Sequence, residues 1–243
     1  MRGSFLTARR VLQQLRNDPR TIALMLVVPC VLLGLMAWVY NGTPHMFDRV
    51  GPGLLGIFPL VVMFLVTSIS TLRERQSGTL ERLLTTPLSK GAFMAGYGIA
   101  FAAVALAQAL VAVAFAVWVC QLDIAGPLWQ LVVVAVFDAV LGTALGLLAS
   151  GFARSEFQAI QFMPAFILPQ FFLCGLLVPR GDLPTGLKQF SDVLPLSYAV
   201  DAMKSLATDP NGGATVGKDI TILIAFSVVA LALGALTLRR RTD

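Results

Sequence analysis

Residues that could support catalysis are few in this chain, and they are scattered among long apolar runs. One segment, GGATVGKD at positions 212–219, nearly fits the phosphate-binding loop GxxxxGK[ST]. Asp219 takes the place of the Ser or Thr whose hydroxyl would hold magnesium, and its carboxylate would repel phosphate. No strand is predicted before it. We therefore expect no nucleotide site and no catalytic residue in this chain.

Metal binding and disulfide formation are also disfavoured. Cys30, Cys120 and Cys174 each lie inside an apolar run with no Cys or His nearby, which is not a metal-ligand or disulfide spacing. The single histidine, His45, lies in a short loop between two apolar runs. A membrane enzyme would need His, Asp or Cys residues clustered near one leaflet. We expect neither a metal nor a cofactor in this chain.

One ionisable residue, Asp138, falls near the middle of an apolar run. A charge at the centre of a bilayer costs about 2.5–3.5 kcal/mol on insertion scales, so such a residue normally faces protein or water. It could line a transport path or hold a dimer interface. Alternatively, a protonated Asp138 hydrogen-bonds to a neighbouring helix, for instance to Gln108. A channel or proton-coupled carrier would contain several such residues, which makes that class a distant alternative.

Aromatic and amide side chains in two other apolar runs are candidates for an apolar cavity with a few polar contacts. They are Phe64, Phe166 and Gln170. Helix-on-helix packing or lipid contact is the competing interpretation for the aromatic rings. Near Asp138, Gly142 and Gly146 form a small-xxx-small pair that permits close helix approach.

The polar stretch LRERQSGTLERLLTTPLSK at positions 72–90 predicts a short helix over 78–86. Thr79 is placed to cap this helix and Pro87 to end it. The helix would present leucines together with opposite charges beyond the bilayer, which suits docking into a groove on a partner protein. The competing interpretation is an ordinary charged turn.

Composition indicates where these residues are held. The chain is 57% hydrophobic and only 13% charged, whereas a soluble domain carries about 25% charged residues. A spanning helix needs about 20 mainly apolar residues. Six windows qualify, which predicts a single all-α integral membrane domain over 1–243 with spans at 21–40, 53–71, 92–120, 127–150, 157–178 and 219–238.

The regions outside these windows predict topology and surface helices. Most of the 18 basic residues fall before the first window, after the second and fourth, or after the sixth, so both termini are predicted to be cytoplasmic. Apolar residues at helical spacing over 4–18 predict an amphipathic interfacial helix, with a frayed basic tail as the alternative. Positions 182–206 predict short amphipathic helices outside.

Three segments carry a resemblance to a known family. TLRERQSGTLERLLTTPLSKGAF (71–93) resembles the segment after the second span of bacterial ABC transporter permeases of type 2, a family of drug, lipid and polysaccharide exporters. LPLSYAVDAMKSL (194–206) and FFLCGLLVPRGDLP (171–184) resemble two further elements of that family. Many relatives have a Ser where this chain has Cys174. The resemblance covers essentially the whole chain.

The resemblance implies that helix 78–86 is the coupling helix, seated against a separate cytoplasmic nucleotide-binding subunit that holds ATP and magnesium. The residues it marks for coupling are Glu74, Gly78, Thr79, Leu80, Glu81, Arg82, Leu83 and Leu84. It further implies a second permease copy or paralogue, a multi-pass location in the bacterial cytoplasmic membrane, and export of drugs or other hydrophobic or amphipathic compounds. Export of a lipid or lipid-linked glycan is the alternative.

Overall fold

The structure is a computed structural model that describes residues 2–76, 90–211 and 215–237, and within these ranges it contains helices and no strand. Four α-helices precede the undescribed stretch 77–89, and six follow it, together with a π-helical turn (Phe115–Val119) and a 3₁₀ turn (Arg180–Asp182). The first four are α1 (Arg2–Arg16), α2 (Pro19–Val39), α3 (Pro44–Leu55) and α4 (Phe58–Gln76). The others are α5 (Lys90–Ala114), α6 (Leu128–Phe152), α7 (Glu156–Leu173), α8 (Thr185–Asp192), α9 (Pro195–Thr208) and α10 (Val216–Thr237).

Within these ranges, five helical segments are long and apolar enough to cross a membrane. They are Pro19–Val39, His45–Gln76, Gly96–Val119, Leu128–Phe152 and Val216–Gly234. The chain is therefore a multi-pass membrane protein, but the predicted count of six spans is not confirmed. The helix missing from the five is α7, whose apolar run is diluted by Glu156 and three glutamines.

Two predicted spans differ from the helices in the structure. The window 53–71 contains a break between α3 and α4, because the helix ends after Leu55 and a new one begins at Phe58. The window 157–178 overruns α7, which ends at Leu173. Gly175 follows at φ +87°, a left-handed conformation that glycine adopts without steric cost. Apolar composition continues through both places, so hydropathy could not locate them.

Helix α1 covers Arg2–Arg16, whereas the sequence predicts a helix over 4–18, and its apolar face packs against protein. Ala8, Val11 and Leu15 are buried in one cluster with Tyr97 and Phe101 of α5. The pattern predicts a helix with one apolar face, but the same face suits lipid or protein equally well. A headgroup location for this helix stays a prediction.

Helix α2 starts immediately after α1 because Asp18 caps it. The Asp18 carboxylate accepts hydrogen bonds from the Thr21 N–H at 3.2 Å and from the Thr21 hydroxyl at 2.7 Å. Pro19 occupies the first helical turn, where its missing N–H costs nothing. The hydrogen bonds from Thr21 lower the pKa of Asp18, so this carboxyl stays anionic at neutral pH.

Candidate functional site

The end of α4 carries polar side chains that contact α1, α7 and the end of α6. Its last four residues, Arg73 to Gln76, each hold a different neighbour, and they lead directly into the undescribed stretch 77–89. We call these four residues the α4 hub. The residues predicted for coupling from Gly78 to Leu84 lie outside the described residues, whereas Glu74 belongs to the hub.

Arg73 joins the hub to the start of α7. Its Nε donates to Oε1 of Glu156 at 2.7 Å, and its Nη2 donates to Oε2 at 3.0 Å, which is a two-point guanidinium–carboxylate contact. Both side chains are about half exposed, so solvent screens the pair. The Arg73 hydrogen bonds hold the pKa of Glu156 below its usual value, which keeps the pair charged at neutral pH.

Glu74 joins the hub to α1. Oε1 of Glu74 accepts from Nη2 of Arg10 at 3.2 Å. The carboxylate side chain is only 13% exposed, so this pair is better shielded from solvent than the Arg73–Glu156 pair. The pair ties α1 to the end of α4, while the buried face of Ala8, Val11 and Leu15 packs mainly against α5.

Arg75 and Gln76 join the hub to the end of α6. The guanidinium of Arg75 donates to the carbonyl oxygen of Ser150, and Nε2 of Gln76 donates to the carbonyl of Arg154 at 3.0 Å. The last carbonyls of a helix have no partner within it, and a cation placed there is stabilising. The hub thus supplies a hydrogen-bond donor to a carbonyl in the last turn of α6 and connects α4 to that end of the helix.

Helices α4 and α6 pack closely at Gly142 and Gly146 of α6, and we call this contact the α4–α6 seam. A methyl group on Gly142 would lie 2.3 Å from the Leu60 carbonyl oxygen, and one on Gly146 would lie 2.5 Å from that of Phe64. Both contacts are with backbone atoms, so no larger residue fits without moving a helix. The predicted close approach is confirmed, and α4 is its partner.

Asp138 lies on the same face of α6, one turn before Gly142, and is completely buried. Its Oδ2 accepts the backbone N–H of Leu60 at 3.1 Å. That N–H is in the first turn of α4, where the break at Gly56 leaves it without a helical acceptor. Asp138 therefore accepts a hydrogen bond from a neighbouring helix, and its partner is Leu60 and not Gln108; the protonated form that the alternative interpretation invokes stays a prediction. Both polar atoms of the Gln108 amide are buried without a hydrogen-bond partner among the described residues.

The remaining predicted path residues come together on α4 and α7. The rings of Phe64 and Phe166 lie 6.4 Å apart, centroid to centroid. Gln170 is 5% exposed and links α7 to α9: its Nε2 donates to the Phe166 carbonyl at 2.9 Å, while its Oε1 accepts the Leu196 N–H at 3.2 Å. A role for these residues in a transport path stays a prediction.

A second polar cluster lies at the opposite end of the bundle. The guanidinium of Arg180 binds the carboxylates of Asp192 and Asp201 and stacks 5.3 Å from the centroid of the Tyr198 ring. Burial raises the pKa of Asp201, and burial lowers the pKa of Lys204 beside it. These contacts tie the turn after α7 to α8 and α9.

Sequence reasoning found Glu74 through its motif, but it treated the neighbouring arginines only as topology signals. It missed Arg10 and Glu156 because their partners are distant in sequence. The available signal was the alternation of charge in Arg73, Glu74, Arg75, which places three ionisable side chains on three faces of one helical turn.

Comparison with known proteins agrees with the motif at the hub. A family model described as ABC-2 type transporter matches residues 4–207. The probable multidrug ABC transporter permease YbhR of Escherichia coli (strain K12) is 29% identical over 155 residues, which cover 64% of this chain and 42% of that protein. The linearmycin resistance permease protein LnrN of Bacillus subtilis (strain 168) is 22% identical over 180 residues, covering 74% and 46%.

A third relative, the putative transport permease ycf38 of Cyanophora paradoxa, is 22% identical over 253 residues, covering 94% of this chain and 86% of that protein. The chain thus spans less than half the length of the Escherichia coli and Bacillus relatives, and most of the length of the third.

Proposed function

The chain belongs to the ABC-2 type transporter family, and from that premise we propose that it is the membrane-spanning permease subunit of an ATP-driven exporter. In this proposal ATP and magnesium bind a separate cytoplasmic subunit, and the permease works with a second copy or a paralogue. The observation that carries the proposal is the α4 hub. Any force on the segment after Gln76 would reach α1, α6 and α7 at once through Arg73, Glu74 and Arg75.

The proposed cargo is a drug or another hydrophobic or amphipathic compound leaving the cytoplasm or inner leaflet. Two relatives carry names that refer to multidrug transport and to linearmycin resistance, which supports this class. The aromatic pair Phe64–Phe166 would supply apolar contact along a path between two permease halves. A lipid or lipid-linked glycan is the alternative cargo.

We propose that α7 is the sixth span, despite its lower hydropathy. It starts at Glu156, beside Arg73 at one end of α4. It ends near Gln170, which binds the start of α9, and α9 in turn packs on Gly56 at the other end of α4. α7 therefore runs the full length of α4 in the opposite direction. Six spans place both termini on one side, which we propose to be the cytoplasmic side of a bacterial inner membrane.

The experiment that tests the function is purification of the tagged permease from its native host, followed by reconstitution of whatever ATPase accompanies it. We expect a nucleotide-binding subunit to co-purify and drug-stimulated ATP hydrolysis to appear. Gly78→Pro and Glu81→Arg should abolish the stimulation and uncouple ATP hydrolysis from export, because both alter the proposed coupling helix. Lys188→Glu, on the opposite side of the bundle, serves as the matched control and should behave as the parent. Normal export by both coupling variants would overturn the coupling assignment.

A further inference from the structure

A cavity of about 570 Å³ lies between α1, α2, α4 and α5, next to the α4 hub. Its volume is within the range of small-molecule sites in proteins, about 300–1,000 Å³. It lies apart from the Phe64–Phe166 pair, which is not among its lining residues. We propose that this cavity binds amphipathic cations, compounds with an apolar body and an amine or quaternary ammonium head. The inference rests on the proposed export function and names the substrate class that enters from the side of the hub.

Most of the cavity wall is apolar. Helices α2 and α4 face each other across it with aliphatic side chains, and the aromatic rings of α5 close its back. The residues that form these surfaces are Met25, Val28, Val62, Val66, Tyr97 and Phe101. Such a wall accepts the hydrocarbon part of a ligand because transfer of apolar surface from water is favourable.

The polar residues of the cavity are gathered where α1 meets α2 and where α4 ends. Three of them carry charge: Asp18, Arg73 and Glu74. Arg73 is engaged by Glu156 at two points, and Glu74 is engaged by Arg10. Asp18 has hydrogen bonds from Thr21 but no cation within ion-pair distance in the described part of the chain.

The charges that line the cavity therefore favour a positive head group. Arg73 and Glu74 are each paired, which leaves the Asp18 carboxylate as the surplus charge of the lining; Arg16 and Arg20 flank it in sequence, but both are exposed and neither lines the cavity. Arg73 attracts Asp18 weakly, but its guanidinium is held by Glu156. The hydrogen bonds from Thr21 lower the pKa of Asp18, which keeps it charged in the neutral range. An ammonium group beside Asp18 would complete the pairing, whereas an anionic head would meet only Arg73, which Glu156 already engages.

The cavity lies next to residues that precede the proposed docking segment, so a bound ligand could influence the ATPase subunit. A ligand with its head at Asp18 lies against Arg73 and Glu74, which hold α7 and α1 to the end of α4. Those residues directly precede the segment proposed to dock on the nucleotide-binding subunit. A bound cation would thus be sensed at the point where coupling begins.

Two photoreactive alkyl probes of equal chain length test the inference, one ending in trimethylammonium and the other in an uncharged hydroxyl. The full-length permease is labelled in phospholipid nanodiscs without any ATPase, and labelled peptides are located by mass spectrometry. We expect the ammonium probe to label the α2 and α4 segments around Val28 and Val66 about two- to fivefold more than the hydroxyl probe, the range for one partly screened ion pair.

Two variants and one control make the result specific. Asp18→Asn removes the charge and keeps an equally good helix cap, so it should lower ammonium labelling to the level of the hydroxyl probe. Ser70→Phe places a ring in the cavity and should reduce labelling by both probes. Ile99→Phe adds the same ring on the exposed face of α5, where Ile99 is 50% exposed, and should change neither.

Equal labelling by both probes in the parent protein would overturn the inference and indicate a cavity filled by membrane lipid. Undiminished ammonium labelling in Asp18→Asn would overturn it as well. Because labelling is measured on the permease alone, either failure leaves the proposed function standing on its own test. Conversely, failure to find an ATPase would refute the exporter without altering the labelling pattern.

Discussion

The carboxyl group of Asp138 accepts a hydrogen bond from the backbone of α4. This contact predicts how substitutions would behave if the role of Asp138 is structural and not contact with substrate. Asp138→Asn keeps an oxygen that can accept the Leu60 N–H, so stability and export should stay close to the parent. Asp138→Leu has a similar shape but no acceptor, and the unpaired N–H should cost about 1–2 kcal/mol. Thermal unfolding of the purified protein in detergent measures the difference.

The same variants decide whether Asp138 contacts cargo. In a reconstituted complex, Asp138→Asn should export cationic and neutral compounds in the parent's proportions. A selective loss of cation export, with unfolding temperature unchanged, would instead place the carboxyl on the path.

The ion pair between Arg10 and Glu74 makes a second prediction at the scale of single residues. Glu74→Arg should destabilise the attachment of α1 by about 1 kcal/mol, because two guanidinium groups then meet in a partly shielded site. Arg10→Glu combined with Glu74→Arg should recover most of the loss. Protease accessibility of α1 in membranes reports the attachment, and Arg9→Glu on the exposed face of α1 is the control. Without recovery in the double variant, the pair would not be what holds α1.

How far these residues could be predicted differs for each of them. Asp138 and Glu74 were identifiable because an acid within an apolar run is rare and because the motif marks the glutamate. Their partners were not identifiable: Leu60 contributes a backbone N–H, freed by a break that its apolar neighbours conceal, and Arg10 is one of several arginines in α1. Contacts between residues distant in sequence depend on how helices dock, and apolar periodicity does not encode that.

At the scale of helices, the close contact between α4 and α6 predicts that a larger residue at Gly142 destabilises the protein. Gly142→Val would direct its side chain at the Leu60 carbonyl, which is backbone and cannot move aside alone. We expect the helices to separate, with a loss of about 2 kcal/mol or more and a clear fall in unfolding temperature. Gly98→Val is the matched control, since nothing lies within 4 Å of a β-carbon there. Equal stability of both variants would show that the seam is not a tight contact.

The lengths of the apolar runs predicted most of the helices. They failed where a helix ends inside an apolar run, because hydropathy does not change there. The first, fourth and last windows match α-helices closely because each run is bounded by polar residues or proline. In the third window the α-helix ends at Ala114, and a π-helical turn, Phe115–Val119, follows it. The window 53–71 concealed a break, since Gly56 and Ile57 are as apolar as their neighbours. The run 157–178 continued beyond α7, because Cys174, Leu176 and Leu177 extend its hydropathy after the helix has ended at Leu173.

At the scale of the whole molecule, the hub joins four helices at one end of the bundle, and a different set of contacts holds the other end. Arg73 and Arg75 connect α4 to α7 and α6, and Glu74 connects it to α1. At the far end, Arg180 holds the turn after α7 to α8 and α9. A movement imposed after Gln76 would therefore be shared by the helices joined at the hub before it reaches the opposite side.

The last prediction tests this transmission. Removing both guanidinium groups, with Arg73→Ala and Arg75→Ala together, should leave the proposed docking segment in place while loosening its connection to α6 and α7. We expect the reconstituted complex to assemble and to retain most of its basal ATP hydrolysis, but to export several-fold less cargo per ATP hydrolysed. Lys188→Ala removes a charge at the other end and should leave that ratio unchanged. An unaltered ratio in the double variant would show that transmission does not depend on these two arginines, whereas loss of assembly would place them in the docking surface itself.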